Sequence, residues 1–270
     1  MNCKITYLFI YMVVIISPFA VEADGIQLHK IREASDSLDL SIQQELTRST
    51  SIGVQWLTAN RNSDNSWGDS NKLSTTAICT LALASIDSES LPPQAAAGRD
   101  WIIKKSSANT PTNFYDIVWS TTALLVTGSN RGATKITIQQ SFDKLCQPDA
   151  ELNAIESALR REIITGLNLK DPDESFIRAS KKHYQMLTEK IIPDEQQMLQ
   201  MWLDARVINR IGSGNLINAQ GKSMAWRRIM AKKIISSQSI DPKGGGFWRG
   251  QNRQQTIQNT ATAILISKEL

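Results

Sequence analysis

Asn62-Ser63-Asp64-Asn65-Ser66-Trp67-Gly68 lies between two apolar stretches of helical character, and a related segment, Asp241-Pro242-Lys243-Gly244-Gly245-Gly246-Phe247-Trp248, returns near the end of the 270-residue chain. Further anchors recur at a fixed spacing. Gly53-Val54-Gln55-Trp56-Leu57 aligns with Gly98-Arg99-Asp100-Trp101-Ile102, and Thr75-Thr76-Ala77 aligns with Thr121-Thr122-Ala123. The two offsets agree to within one residue. A period of this size means stacked supersecondary units, each unable to bury its own apolar face.

Each unit reads as a helix ending near Asn60 or Lys105, a loop, and a second helix that opens on threonines. Ile78, Leu81 and Ala82 share one face of that second helix, and Ser74, Thr75 and Thr76 suit its N-terminal cap. A third unit runs from Met230 to Gln238, through the glycine loop and Trp248, to Thr260-Ala261-Thr262-Ala263-Ile264-Leu265, with a loop about eight residues longer than the first. Between Thr134 and Ile211 the period fades, but helices are still predicted over Glu151–Leu167, Ser175–Ile192 and Asp194–Ile211. Strand signals are sparse. The expected class is all-α, about ten to twelve helices at ordinary helix and loop lengths, stacked as hairpins into a solenoid or closed into a ring.

Met1 to Ala23 holds one early cation, Lys4, an apolar run from Ile5 to Ala20 and small residues around Val21-Glu22-Ala23, the pattern of a cleaved secretory signal peptide. The run falls short of the ~20 residues of a spanning helix. A secreted or periplasmic chain starting near Asp24 is expected, with 24–270 as one domain and units near 52–90, 97–130 and 230–270. Cys79 sits in an apolar stretch and reads as a small buried hydrophobe; a Cys79–Cys146 bridge is left open. Between Ala205 and Arg253 there are ten lysines and arginines against one acid, Asp241. Arg227, Arg228, Lys232 and Lys233 lie at helical spacing there, a cationic strip suited to an anionic membrane surface or an acidic glycan, or else a solvated helix face.

Gly53-x-x-Trp56-Leu57, the segment from Asn60 through Trp67-Gly68-Asp69, Thr75-Thr76-Ala77, and Gln238 ahead of Gly246-Phe247-Trp248 together resemble the Gln-Trp repeat of squalene–hopene cyclases and the prenyltransferase superfamily. The resemblance covers about half the chain, 52–128 and 230–270. It implies an α/α toroid, or an incomplete α/α barrel, around a central cavity. Trp56, Trp67, Gly68, Trp101, Gln238, Gly246 and Trp248 are then clasp residues. Gln238 satisfies backbone groups at a helix end, the Trp supplies an apolar plate with one donor, and glycine, or Asn65 in its place, permits the left-handed turn.

A protonating cyclase of that superfamily needs an Asp-rich acid kept neutral by an apolar site. Asp171-Pro172-Asp173-Glu174 approaches that motif but departs from it at its last position, and its proline suits a helix cap. Tyr115, Trp119 and Trp202 are candidate aromatic faces for an apolar ligand. Zinc chemistry of the prenyltransferase branch has no Asp-Cys-His set here, so no metal and no cofactor are expected. Tyr184, Arg249 and the basic strip are residue types that a polysaccharide lyase would use, without a motif that fixes them. Nucleotide-binding and nucleophile motifs are missing, and no nucleic-acid partner is expected. The expectation is an exported, non-catalytic binding module for a small apolar, isoprenoid-like ligand, an acidic glycan, an anionic membrane surface or a protein partner. The alternatives are a terpenoid cyclase-like isomerase acting through Asp171, Asp173 and Glu174, and a polysaccharide lyase or hydrolase.

Overall fold

Helix α1 (Leu40–Ala59) stops where Asn60 bends its side-chain amide back onto the Trp56 carbonyl at 3.0 Å. Helix α2 (Lys72–Ala84) follows, then α3 (Pro93–Ala108), which Pro93 opens at a position where a missing N–H costs nothing. Asn113 caps α4 (Phe114–Val126) by accepting the Tyr115 N–H at 2.9 Å, and Asn252 caps α7 (Arg253–Glu269) through the Gln255 N–H at 2.9 Å. Helices α5 (Glu195–Ile211) and α6 (Trp226–Ser237) complete the set of long helices among the described residues. The structure is a computed structural model of the whole chain. It describes residues 38–87, 90–109, 111–128, 156–160, 178, 195–211, 216–217, 221 and 223–270.

The described chain is mostly helical, as expected, and two short antiparallel hairpins add strand where the sequence offered little sign of it. Leu216–Ile217 (β1) pairs with Ser223–Met224 (β2), and Gln238–Ile240 (β3) pairs with Gly246–Trp248 (β4) in the register Gln238 to Trp248. The predicted helix over 194–211 is present as α5. Those over 151–167 and 175–192 fall largely outside the described residues, although 156–160 is helical.

The spatial order of the helix pairs differs from their order along the chain. Helix α7 packs on both α1 and α2, and α6 packs on α1, just as α2 packs on α3 and α4. The α6–α7 pair therefore stands ahead of α1–α2, which stands ahead of α3–α4, and α5 lies against α7. One hydrophobic core runs through the pairs, including Leu57, Trp67, Ile78, Ile102, Trp202, Trp226, Trp248 and Ile264, all buried.

Two loops fasten the pairs with the same bonds. The Trp67 indole donates to the Leu57 carbonyl at 2.8 Å while its backbone N–H donates to Thr76 Oγ1 at 3.0 Å. Trp248 donates in the same two ways to the Ile234 carbonyl at 2.8 Å and to Thr260 Oγ1 at 3.1 Å. Each tryptophan thus ties the last turns of its first helix to a buried threonine within its second. The turns match too: Asn62 N–H to Ser66 O with Asn65 N–H to Asn62 O, and Asp241 N–H to Gly245 O with Gly244 N–H to Asp241 O. Asn65 holds φ 68° where Gly244 holds φ 94°, a left-handed position that asparagine tolerates and glycine adopts freely. The extra length of the second loop lies partly in its arms. Trp248 is 14 residues from its helix-end acceptor against 10 for Trp67, which lets the arms pair as β3 and β4.

Three local expectations are corrected. Ser74, Thr75 and Thr76 lie inside α2, which starts at Lys72, and are buried. Ser74 N–H is bonded by Asp116 Oδ1 from α4 at 2.8 Å, so the cap comes from the next pair. Gln238 is a strand residue whose Nε2 donates to the Ser49 carbonyl, in the middle of α1 rather than at a helix end. The unit near 97–130 makes no clasp because its loop, 109–113, has no tryptophan. There Thr122 bonds back to the Val118 carbonyl at 2.8 Å instead.

Candidate functional site

The first and last described units meet at a seam, and a groove opens along it. Each tryptophan loop seats against a helical glycine of the unit it precedes in space. Trp248 faces Gly53 on α1, where a side chain would collide with the indole, and Trp67 faces Gly98 on α3, where a side chain would press on the indole and collide with Thr80 Oγ1. The loop acids are held in a related way. Asp241 accepts the Trp56 indole N–H at 3.1 Å and the Lys243 N–H at 2.8 Å, and these bonds keep its carboxyl below the ordinary value, the Lys243 backbone bond most strongly. Asp64 is lowered chiefly by Ser66, with Lys72 and the Trp101 side chain adding to the effect. Trp56 also stacks on Phe247, ring centres 5.3 Å apart.

A polar latch crosses the same seam on its loop side. Gln254 at the start of α7 accepts the Asp69 and Ser70 N–H groups at 3.3 and 3.0 Å and donates to Thr75 Oγ1 at 2.9 Å. Gln258 donates to Thr75 as well, at 3.2 Å. Arg253 pairs with Asp69 and reaches the Asn60 carbonyl at 3.1 Å.

At the other end of the seam lies a groove of about 490 Å³, within the range of small-molecule sites. One face of α1 forms its long wall, from Gln43 through Leu46, Thr47, Thr50, Ser51 and Val54 to Gln55. Leu38, Ile86, Arg227 of α6 and the end of α7 complete it. Thr47, Thr50 and Ser267 donate their hydroxyls to carbonyls of their own helices at 2.8, 2.8 and 2.9 Å, which reduces the polarity they offer to a ligand. Among the described residues, the charged side chains of the lining are Arg227 and Lys268. Arg227 is held over the Trp226 ring at 4.4 Å and donates to Asn209 Oδ1 at 2.7 Å; Lys268, exposed, donates to the Ile86 carbonyl at 3.2 Å.

The predicted cationic strip is split. Arg227 and Lys233 are buried, at 6% and 4% exposure, whereas Arg228 and Lys232 point to solvent and Arg228 pairs with Asp39 at 3.3 Å. Neighbouring positions on a helix face different ways, so the four do not form one surface. Burial lowers the pKa of Lys233. Arg249 is exposed in the loop after β4, apart from the groove lining.

Trp119 and Trp202 are brought together, ring centres 5.5 Å apart, as a buried core contact between α4 and α5, with Arg206 over the Trp202 ring at 5.1 Å. Tyr115 is half-buried and edge-on to Phe114. Asp171, Asp173, Glu174, Tyr184 and Cys146 lie outside the described residues. Cys79 is a fully buried free cysteine, and burial pushes its thiol pKa well up. Among the described residues no cluster of His, Cys, Asp and Glu is placed to hold a metal ion, and no helix is long and apolar enough to cross a membrane.

Sequence reasoning named Arg227 but missed Lys268, Leu46, Val54 and Ile86. No local signal marks them, because the groove exists only where the two ends of the described chain meet. No protein-family model, curated protein or solved structure matches the chain.

Proposed function

We propose that this chain is an exported α/α toroid of the squalene–hopene cyclase and prenyltransferase repeat type, working as a binding module and not as a catalyst. The observation that carries the binding reading is the composition of the seam groove. Its walls combine Leu38, Leu46, Val54, Ile86 and Leu270 with amides, hydroxyls and two cationic side chains, and among the described residues no Asp, Glu, His or Cys side chain lines it. Such a lining supplies apolar area and donors for recognition but no side-chain acid, general base or thiol for a reaction. The toroid reading is supported by the return of α6–α7 onto α1–α2 through the same tryptophan-on-glycine contact that links α1–α2 to α3–α4.

Native mass spectrometry of the purified protein, before and after mild organic extraction, tests the reading. A co-purifying apolar ligand that extraction removes is the expected result. An empty protein that takes up no apolar probe, while turning over an isoprenoid in a manner abolished by Asp171, Asp173 and Glu174 substitutions, would overturn it in favour of the cyclase alternative.

A further inference from the structure

Resting on the groove reading above, we infer that occupancy of the groove and closure of the seam are one equilibrium: an apolar ligand in the groove holds α7 against α1 and α2, and its release lets the seam part. The groove is built from both sides of the seam. Thr50 and Val54 of α1, with Ile86 just beyond the end of α2, stand on one side, and Ser267 and Leu270 at the end of α7 stand on the other. A ligand that touches both sides gains its full contact area only while they stand together. Its binding free energy then adds to that of closure.

Two helices carry this coupling along the seam. α2 and α7 pack side by side and are tied at both ends. Near the start of α7, Gln254 holds the Asp69 and Ser70 N–H groups and Thr75 around the start of α2; near its end, Lys268 holds the Ile86 carbonyl at 3.2 Å. The two ties stand about 20 Å apart along α7. The latch is therefore at one end of a pair of rods and the groove at the other, and rigid elements of this kind transmit a displacement from end to end. The latch is also the more easily opened contact of α2. Asp69, Ser70 and Arg253 are exposed, and solvent-exposed hydrogen bonds open at low free energy. On the opposite side of α2, the Ser74 N–H is bonded by Asp116 of α4 at 2.8 Å and Ser74 is buried.

Amide hydrogen exchange of the purified full chain, with and without 1-dodecanol as the apolar probe, tests the coupling. The Asp69 and Ser70 N–H groups report the parting of α7 from α2, and the Ser74 N–H is the reference at the contact with α4. At a probe concentration ten times its Kd, exchange at Asp69 and Ser70 is expected to slow about tenfold, with Ser74 little changed. Ser51→Trp, at an exposed position of the lining, is expected to abolish both the binding and the slowing by filling the groove. Probe binding that is lost in Ser51→Trp but leaves Asp69 and Ser70 at their free rates would overturn the coupling while the groove reading stood. Equal slowing at Ser74 would overturn it too, because the seam would then have no opening of its own. Failure of the probe to bind, or binding and slowing indifferent to Ser51→Trp, would remove both.

Discussion

Cζ3 of Trp248 stands 2.9 Å from where a Cβ on Gly53 would lie, although the two residues are nearly two hundred positions apart in sequence. The indole cannot back away. It is 1% exposed, its Nε1 is held by the Ile234 carbonyl and its N–H by Thr260. Gly98 stands in the same relation to Trp67, with Cζ3 at 3.2 Å, and is closed further by Thr80 Oγ1.

Gly53→Ala and Gly98→Ala are therefore expected to destabilise, although alanine is the better helix former. Overpacking costs ~1–3 kcal/mol and the helix gain returns up to ~1 kcal/mol, leaving a net loss of ~1–2 kcal/mol, larger at Gly98. Urea midpoints of the two variants check both sign and order.

Thr76→Val and Thr260→Val remove the acceptors of the Trp67 and Trp248 backbone N–H groups at nearly constant volume. Each leaves a buried donor unpaired, at ~1–3 kcal/mol. Because the backbone N–H bonds are equivalent in the two units, the two losses should be of similar size. A loss at one site alone would show that the two clasps are not energetic equivalents.

The seam latch should be unequal in its parts. Arg253→Ala breaks an exposed ion pair with Asp69 and is expected to cost under ~1 kcal/mol, with the effect shrinking in salt. Gln254→Ala removes an acceptor from two backbone N–H groups and one of two donors from buried Thr75, and should cost more, ~1–1.5 kcal/mol. Thermal melts at low and high salt separate the two behaviours.

Acid should open the seam. Asp241 and Asp64 have pKa values below the ordinary carboxylate value in the fold, so their contribution to stability is present above the unfolded value near ~3.9 and is lost as pH falls through the folded values. Melting temperature should stay level from about pH 7 to 5 with respect to these groups and fall below about 4. Asp241→Asn should shallow that fall, since an amide does not titrate, and lower the plateau, since one amide oxygen cannot serve both the Lys243 N–H and the Trp56 indole.

Some of this was legible because it is local. The left-handed turn that Asn65 shares with Gly244 follows from which residues tolerate positive φ, and helix α5 follows from apolar periodicity. The burial of Trp56, Trp67 and Trp248 could be expected from their recurrence at matching positions. The cationic strip failed for a reason of the same kind. Spacing placed Arg227, Arg228, Lys232 and Lys233 on one helix, but which face of α6 would meet α1 was a tertiary matter, and it buried two of the four.

By itself the sequence determined that helices pair through tryptophan loops, because turn chemistry and helical phase act over a few residues. The tertiary structure decided that the last pair returns to the first. That return sets Trp248 on Gly53 and Asp241 on Trp56, gives Gln238 a carbonyl in mid-helix, and brings Lys268 and Arg227 to one groove with Leu46. Its physical cause is long-range burial: an apolar helix face left open in one unit is closed by whichever unit fits it, and no local rule of the backbone names that partner.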